Sequence, residues 1–421
     1  MNISIVTISF TALFCLNFFT GYTCPAERTP LIYADRNYEE EVGTVVLRPS
    51  GTSRFDTDPV IPLGQTLHLD FDVIGEESEY LNATIVHCTH DWKPSQIMSL
   101  EFLQVYNEFN LDNFSYSNSL IPYTQYQFIL PPVTKSGNYL LVVYRDGEEE
   151  DLLFSRRFVV YETMAQVEGR VQYSQLARQM QTHQRVEFEV SHPSLNIFNP
   201  FRDLQVVILQ NHNWHTAKTG LQPTIQRPDQ RYLEYHHFSG ENEFPGLNEF
   251  RFFDLRSTQY RGRNVNAVFR QGDSFSARLG KDLPRNGLAY ANSLEDENGA
   301  FFVGNTDPGA DLLEADYIYT SFFLEMEQQV EPVYVVGKFN NWHQGEENEM
   351  AYEAGLGMYF KEIRLKQGFY NFGYATSSRG FDTVEGNFVE TENQYEILVY
   401  LTDPSQAYHR VIGYTKISTG H

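Results

Sequence analysis

The chain has 421 residues, with 31 Lys and Arg against 55 Asp and Glu, for a formal net charge of −24. Binding a polyphosphate needs clustered Lys and Arg, and the sequence has no such stripe, which argues against nucleic acid and equally against docking on anionic lipid. The length exceeds what a single hydrophobic core fills, so several domains are expected, and 27 Tyr with 32 Phe tilt them toward pleated sheet.

In chain order, the first feature is the apolar run Ile3 to Phe19, which reads as a secretory signal covering residues 1–24, although no Lys or Arg precedes it. Cleavage is expected after Gly21, Thr23 or Ala26. The residues before Cys24 lack the Leu-x-small-Cys form of a lipoprotein box, so a lipid anchor at Cys24 is the weaker reading. Cys15 leaves with the signal, and Cys24 and Cys88 alone make no disulfide framework. No later segment approaches the ~18 apolar residues of a membrane span.

Strand patterns follow. Leu67 to Val73 and Val186 to Val190 alternate apolar with polar, and Phe360 to Leu365 is consistent with the same reading. A short helix is expected within Ser99 to Phe109, and Arg145-Asp146-Gly147 reads as a hairpin turn with a solvated acidic tip, Glu148 to Asp151. The three Trp residues each follow a β-branched run and a polar turn ending in Asp or Asn: Trp92, Trp214 and Trp342, at intervals of 122 and 128 residues. Such spacings suggest whole-domain duplication rather than a solenoid. The prediction is an all-β chain of tandem immunoglobulin-like sandwiches, with domains at 25–162, 163–327 and 328–421.

With the domains laid out, a family resemblance becomes visible. Thr44 to Gly51, Val86 to Ser95, Ser115 to Ser119, Ile121 to Tyr126, Ser136 to Leu140 and Arg156 to Phe158 resemble the plug protein of the type IX secretion system of Bacteroidota. The tail adds Glu385 to Asn387, Thr391 to Tyr395, Val399-Tyr400 and Ile412-Gly413. The likeness spans nearly the whole mature chain and is weakest in the middle domain. It implies a non-catalytic periplasmic protein that occludes the periplasmic mouth of an outer-membrane β-barrel translocon when the translocon's cargo-shuttling partner is absent. Gly337-Lys-Phe-Asn-Asn-Trp342 also resembles the turn of starch- and glycogen-binding modules, in which exposed Trp and Lys hold sugar rings. The same turn occurs in sandwiches that bind no sugar, because Asn and Trp stabilise the corner. A periplasmic glycan-binding protein is therefore the alternative.

Trp92, Trp214 and Trp342 are expected to pin a corner of their own sandwiches, with Lys338, Asn340 and Asn341 as possible binding companions of Trp342. His87, Cys88, His90 and Asp91 do not make a metal site, since neighbours on a strand face opposite sides. His212 and His215 are similarly isolated. Asn305, Asp307, Asp311, Glu314 and Asp316 lack the loop pattern of a calcium site. No nucleophile elbow, phosphate loop or metalloprotease motif occurs, so no catalytic residue, metal or cofactor is predicted. The aromatic content exceeds what the cores alone are expected to need, and some of it is expected on surface patches.

Overall fold

In the computed structural model, residues 30–51, 57–292, 296–310, 314–402 and 408–419 are described. The segment read as a signal, with Cys24, and Asp311 of the acidic loop lie outside them. The fold is all-β, made of three sandwiches.

In the first, one sheet runs Val42–Pro49, Leu67–Ile74, Tyr123–Ile129, Phe114–Tyr116. The facing sheet is built on Leu81–Cys88, Gly137–Arg145 and Leu152–Tyr161. Alternation places Leu67, Leu69, Phe71 and Val73 in the core against Ile85, Tyr139 and Phe154. Asp72 breaks the rule by being buried on the outer face. Its partners come from another sandwich. The helix is a single turn, Ser99–Phe102, shorter than its predicted span.

The second sandwich pairs the sheet of Gln166–Tyr173, His183–Ser191, Tyr232–Tyr235 and Ile225–Arg227 with one made of Asn213–Thr219, Leu204–Gln210, Gln394–Leu401 and Arg410–Ser418. Leu204↔Leu401 to Gln210↔Tyr395 is a continuous antiparallel register. Val206, Ile208, Ile397, Val399 and Ile412 share one core with Val186 and Phe188. The boundaries drawn at 163–327 and 328–421 are thereby corrected. The chain leaves the second sandwich after Glu243–Pro245, builds the third from 251 to 376, and returns at Gln394. The largely apolar run of 394–401 is satisfied equally well by either sandwich, so sequence proximity misassigned it.

The two crossing segments brace each other. Phe388 N and Thr391 Oγ1 donate to Leu247 O, and Asn393 Nδ2 donates to Gly246 O. A Cβ on Gly246 would sit 2.0 Å from Phe388 O, so only Gly permits this crossing.

Tyrosines carry much of the contact between bodies. Tyr317 OH donates to Asp72 (2.6 Å) and accepts from Thr44 N, Tyr123 OH donates to Ala315 O, and Tyr400 OH donates to Asn138. Each buries a ring and still satisfies its hydroxyl, so part of the aromatic excess lies between sandwiches rather than inside them. Gly43 lies against Tyr317 OH, 2.2 Å from where a Cβ would stand. Gly43→Ala is expected to wedge the first and third sandwiches apart at a cost of about 1–3 kcal/mol, read by chemical denaturation.

Candidate functional site

The three sandwiches meet at Asp58. Local structure explains how each group arrives there. Asn211 and His212, both left-handed (φ 52° and 57°), form the two-residue turn between Leu204–Gln210 and Asn213–Thr219, which turns the imidazole inward. Lys338 opens a 3₁₀ turn in which Asn340 Oδ1 accepts from Gly337 N and Asn340 Nδ2 donates to Val335 O. Asn341 and Trp342 close it with positive φ. Asp58 itself stands one residue before the short parallel strand Val60–Pro62, separated from it by Pro59.

Asp58 Oδ1 lies 2.8 Å from Lys338 Nζ of the third sandwich, and Oδ2 lies 2.8 Å from Lys416 Nζ of the second. His212 Nδ1 stands 2.6 Å from Glu396 Oε2 and 4.0 Å from Asp58 Oδ1, and Tyr414 OH donates to Glu396 Oε1. Burial alone would raise the Asp58 pKa, but Lys338, His212 and Lys416 overcome it and hold the carboxyl well below the usual range. Burial likewise opposes charging of His212, and Glu396 and Asp58 outweigh it and raise its pKa.

The linked stabilities have opposite signs. The Asp58 contribution is present above its unfolded pKa of about 3.9 and fades as pH falls, whereas that of His212 is full below about 6.5 and fades as pH rises through its raised value. Thermal stability is therefore expected to decline on the alkaline side, and His212→Gln should flatten that limb. An unchanged pH profile in this variant would contradict the assignment.

Ligand atoms of Asp58, His212 and Glu396 fall within 4.8 Å of one another, as in a metal cluster. The two ammonium groups already occupy both oxygens of Asp58, the positions a cation would take, so the donor set fits an ion-pair network and not a metal. The adjoining recess, about 80 Å³, is lined by Trp214, Trp342, Arg157 and Lys338 and has room for only a few water-sized molecules. A wider cleft of about 610 Å³ separates the first and third sandwiches, with Arg36 and Arg364 interspersed among Glu39, Glu40, Glu346 and Glu347.

The predicted residues distribute unevenly. Trp214, Lys338, Asn341 and Trp342 line the same recess. Trp342 packs on Phe250 and Phe381 within its own body and is 6% exposed, and Lys338 is tied to Asp58. Neither presents a free face to a sugar. Trp92 and Trp214 depart from the expectation that each pins its own sandwich. They meet edge to face at 4.9 Å across the boundary between the first and second bodies, with the Arg157 guanidinium 4.7 Å from the Trp92 ring. Asn213-Trp214 begins a strand, so its apparent kinship with the other two turns is only local.

His87 bonds Ser95 and is pushed down to about 4 by burial, while burial pushes the Cys88 thiol up to about 12. Both are inert core groups. Asp307 accepts from Thr258 N and from the Ser257 and Thr258 hydroxyls, which makes it a loop anchor. Sequence reasoning missed Asp58, Glu396 and Lys416, which stand 338 and 358 residues from Asp58 in the chain and carry no local motif. It also missed Asp72 and Lys366, a fully buried pair at 2.8 Å joining the first and third sandwiches. Asp72 occupies an ordinary polar position of the alternating strand Leu67–Ile74, beside His68 and Asp70, so no local signal set it apart.

The architecture defines a chain of three β-sandwiches locked by buried ion pairs at their contacts. Residues 42–162 match the family model of the type 9 secretion system plug protein 1st domain. The chain is also similar to a crystal structure of a hypothetical protein from Parabacteroides merdae ATCC 43184, at 27% identity and a TM-score of 0.87, over 92% of this chain and all of that one. No curated protein matches it.

Proposed function

We propose that the protein is a non-catalytic component of type IX protein secretion that acts in the periplasm, binding the periplasmic opening of the outer-membrane translocon and closing it. The observation that carries this reading is the plug-protein first domain at 42–162. The packing supports it. A plug has to be a stiff body, and three sandwiches cross-tied through Asp58 and Asp72 present a preformed surface, so association costs little ordering entropy. The buried carboxylates at these contacts are committed to Lys partners, which suits a scaffold better than acid–base chemistry. Among the described residues no helix is long and apolar enough to cross a membrane, consistent with attachment through a partner.

Affinity purification of the translocon, with and without its cargo shuttle, tests the proposal. The protein is expected to co-purify when the shuttle is absent. A translocon that never carries it, in either state, would refute the plug function.

A further inference from the structure

The four-stranded sheet of the first sandwich has two edges with different fates. The Val42–Pro49 edge is covered by the third sandwich, through Thr44 N to Tyr317 OH and Arg364 to Glu40 O. The opposite edge, Phe114–Tyr116, is the last strand of its sheet, and all three of its residues are exposed. Exposed edges are ordinarily guarded by Pro, Lys or a bulge. Phe-Ser-Tyr contains no such guard, and it pairs with Tyr126, Gln125 and Thr124 in unbroken register.

This edge adjoins one pole of the sandwich. Tyr116 OH donates to Ser78, Asp146 N donates to Tyr80 O, and Arg145 pairs with Glu79 and Asp151, so the loops 75–80 and 145–151 lie together beside the strand. Leu111 N donates to Leu81 O and brings in the segment 103–116. Tyr80, Tyr106 and Tyr116 are 86%, 77% and 57% exposed. The same three segments carry ten acidic residues and one cation, Arg145, which is already paired. Tyr144 beneath them is pushed up to about 12, by burial first and then by Glu108, Glu149 and Tyr106.

Exposed aromatics favour a macromolecular contact, and the surrounding carboxylates select a basic one, whose Lys and Arg can pair with the acids and lie over the tyrosine rings. We propose that Phe114–Tyr116 and this acidic aromatic pole are the docking face for the translocon, accepting an extended, basic and apolar segment of its periplasmic rim as an added strand. The inference rests on the plug function. Main-chain hydrogen bonds to the open edge supply affinity, and the tyrosines and carboxylates supply selection.

A photo-reactive phenylalanine analogue placed at Tyr106 or Tyr116, with Phe238 of the second sandwich, intermediate between them in exposure, as the control, tests the face in cells that possess the translocon. Adducts with the translocon from the first two positions and none from the third are expected. Adducts from Phe238 alone would overturn the face while leaving the plug function standing, and adducts from no position, with no co-purification, would remove both. Tyr106→Ser/Tyr116→Ser should weaken binding to purified translocon about tenfold or more without lowering thermal stability, and high salt should weaken the unaltered protein. An unchanged Kd would overturn the proposal. So would a dimer in sedimentation that this double variant abolishes, since the edge would then serve a second copy.

Discussion

Replacing Asp58 with Ala is expected to destabilise the protein by about 3–5 kcal/mol, since it leaves Lys338 and Lys416 without their common carboxylate at a partly or fully buried contact. The cost comes from desolvated charge left uncompensated more than from the attraction lost. A compensated variant separates the two. Asp58→Leu combined with Lys338→Met and Lys416→Met removes these three charges together, leaves His212 and Glu396 to pair with each other, and should recover most of the stability. Denaturant unfolding of the single and triple variants provides the check. If Asp58→Ala costs less than about 1 kcal/mol, in the range of a surface ion pair, the junction is not a staple.

The second large effect is expected at Trp342. Its indole fills the space between Phe250, Phe381 and Gly299, where a Cβ on Gly299 would lie 2.2 Å from the ring. Trp342→Ala opens a cavity that the rigid turn of residues 337–342 cannot collapse into, at about 3–5 kcal/mol. Thermal melts of the variant decide the matter together with retention on a glucan matrix. Unaltered melting with lost retention would transfer this residue, and the third sandwich, to the glycan-binding alternative.

Much of the fold was legible because strand alternation is a local signal. Leu67–Ile74, His183–Ser191 and Met358–Lys366 all contain the segments read from their patterns. The Arg145-Asp146-Gly147 turn was equally readable, with Asp146 and Gly147 both at positive φ. Partnership was not legible. Nothing in Gln394–Leu401 states that its neighbour is Leu204–Gln210 rather than a strand of the third sandwich, because any buried sheet accepts the same apolar pattern. The junction failed to show for the same reason. Lys338 was noticed for its turn, while the Asp58 that holds it belongs to a different body and stands in no recognisable motif. Nothing local to Gly246 announces its constraint either, which is the crossing of two chain segments.

The nested connectivity imposes an order of events on the growing polypeptide. The first sandwich closes with residues 152–161, and the third closes with 368–376, each from a continuous stretch. The second has to wait. Its sheet lacks two of four strands until Gln394–Leu401 and Arg410–Ser418 are made, and Gln210 finds Tyr395 only across the whole intervening body. Pairings of such long separation close slowly. Until they close, the Leu204–Gln210 edge is an unpaired apolar strand, the kind of surface that holding chaperones recognise. Loss of the last thirty or so residues would leave two finished bodies joined by one that cannot complete, a chain prone to proteolysis at its centre rather than at its end.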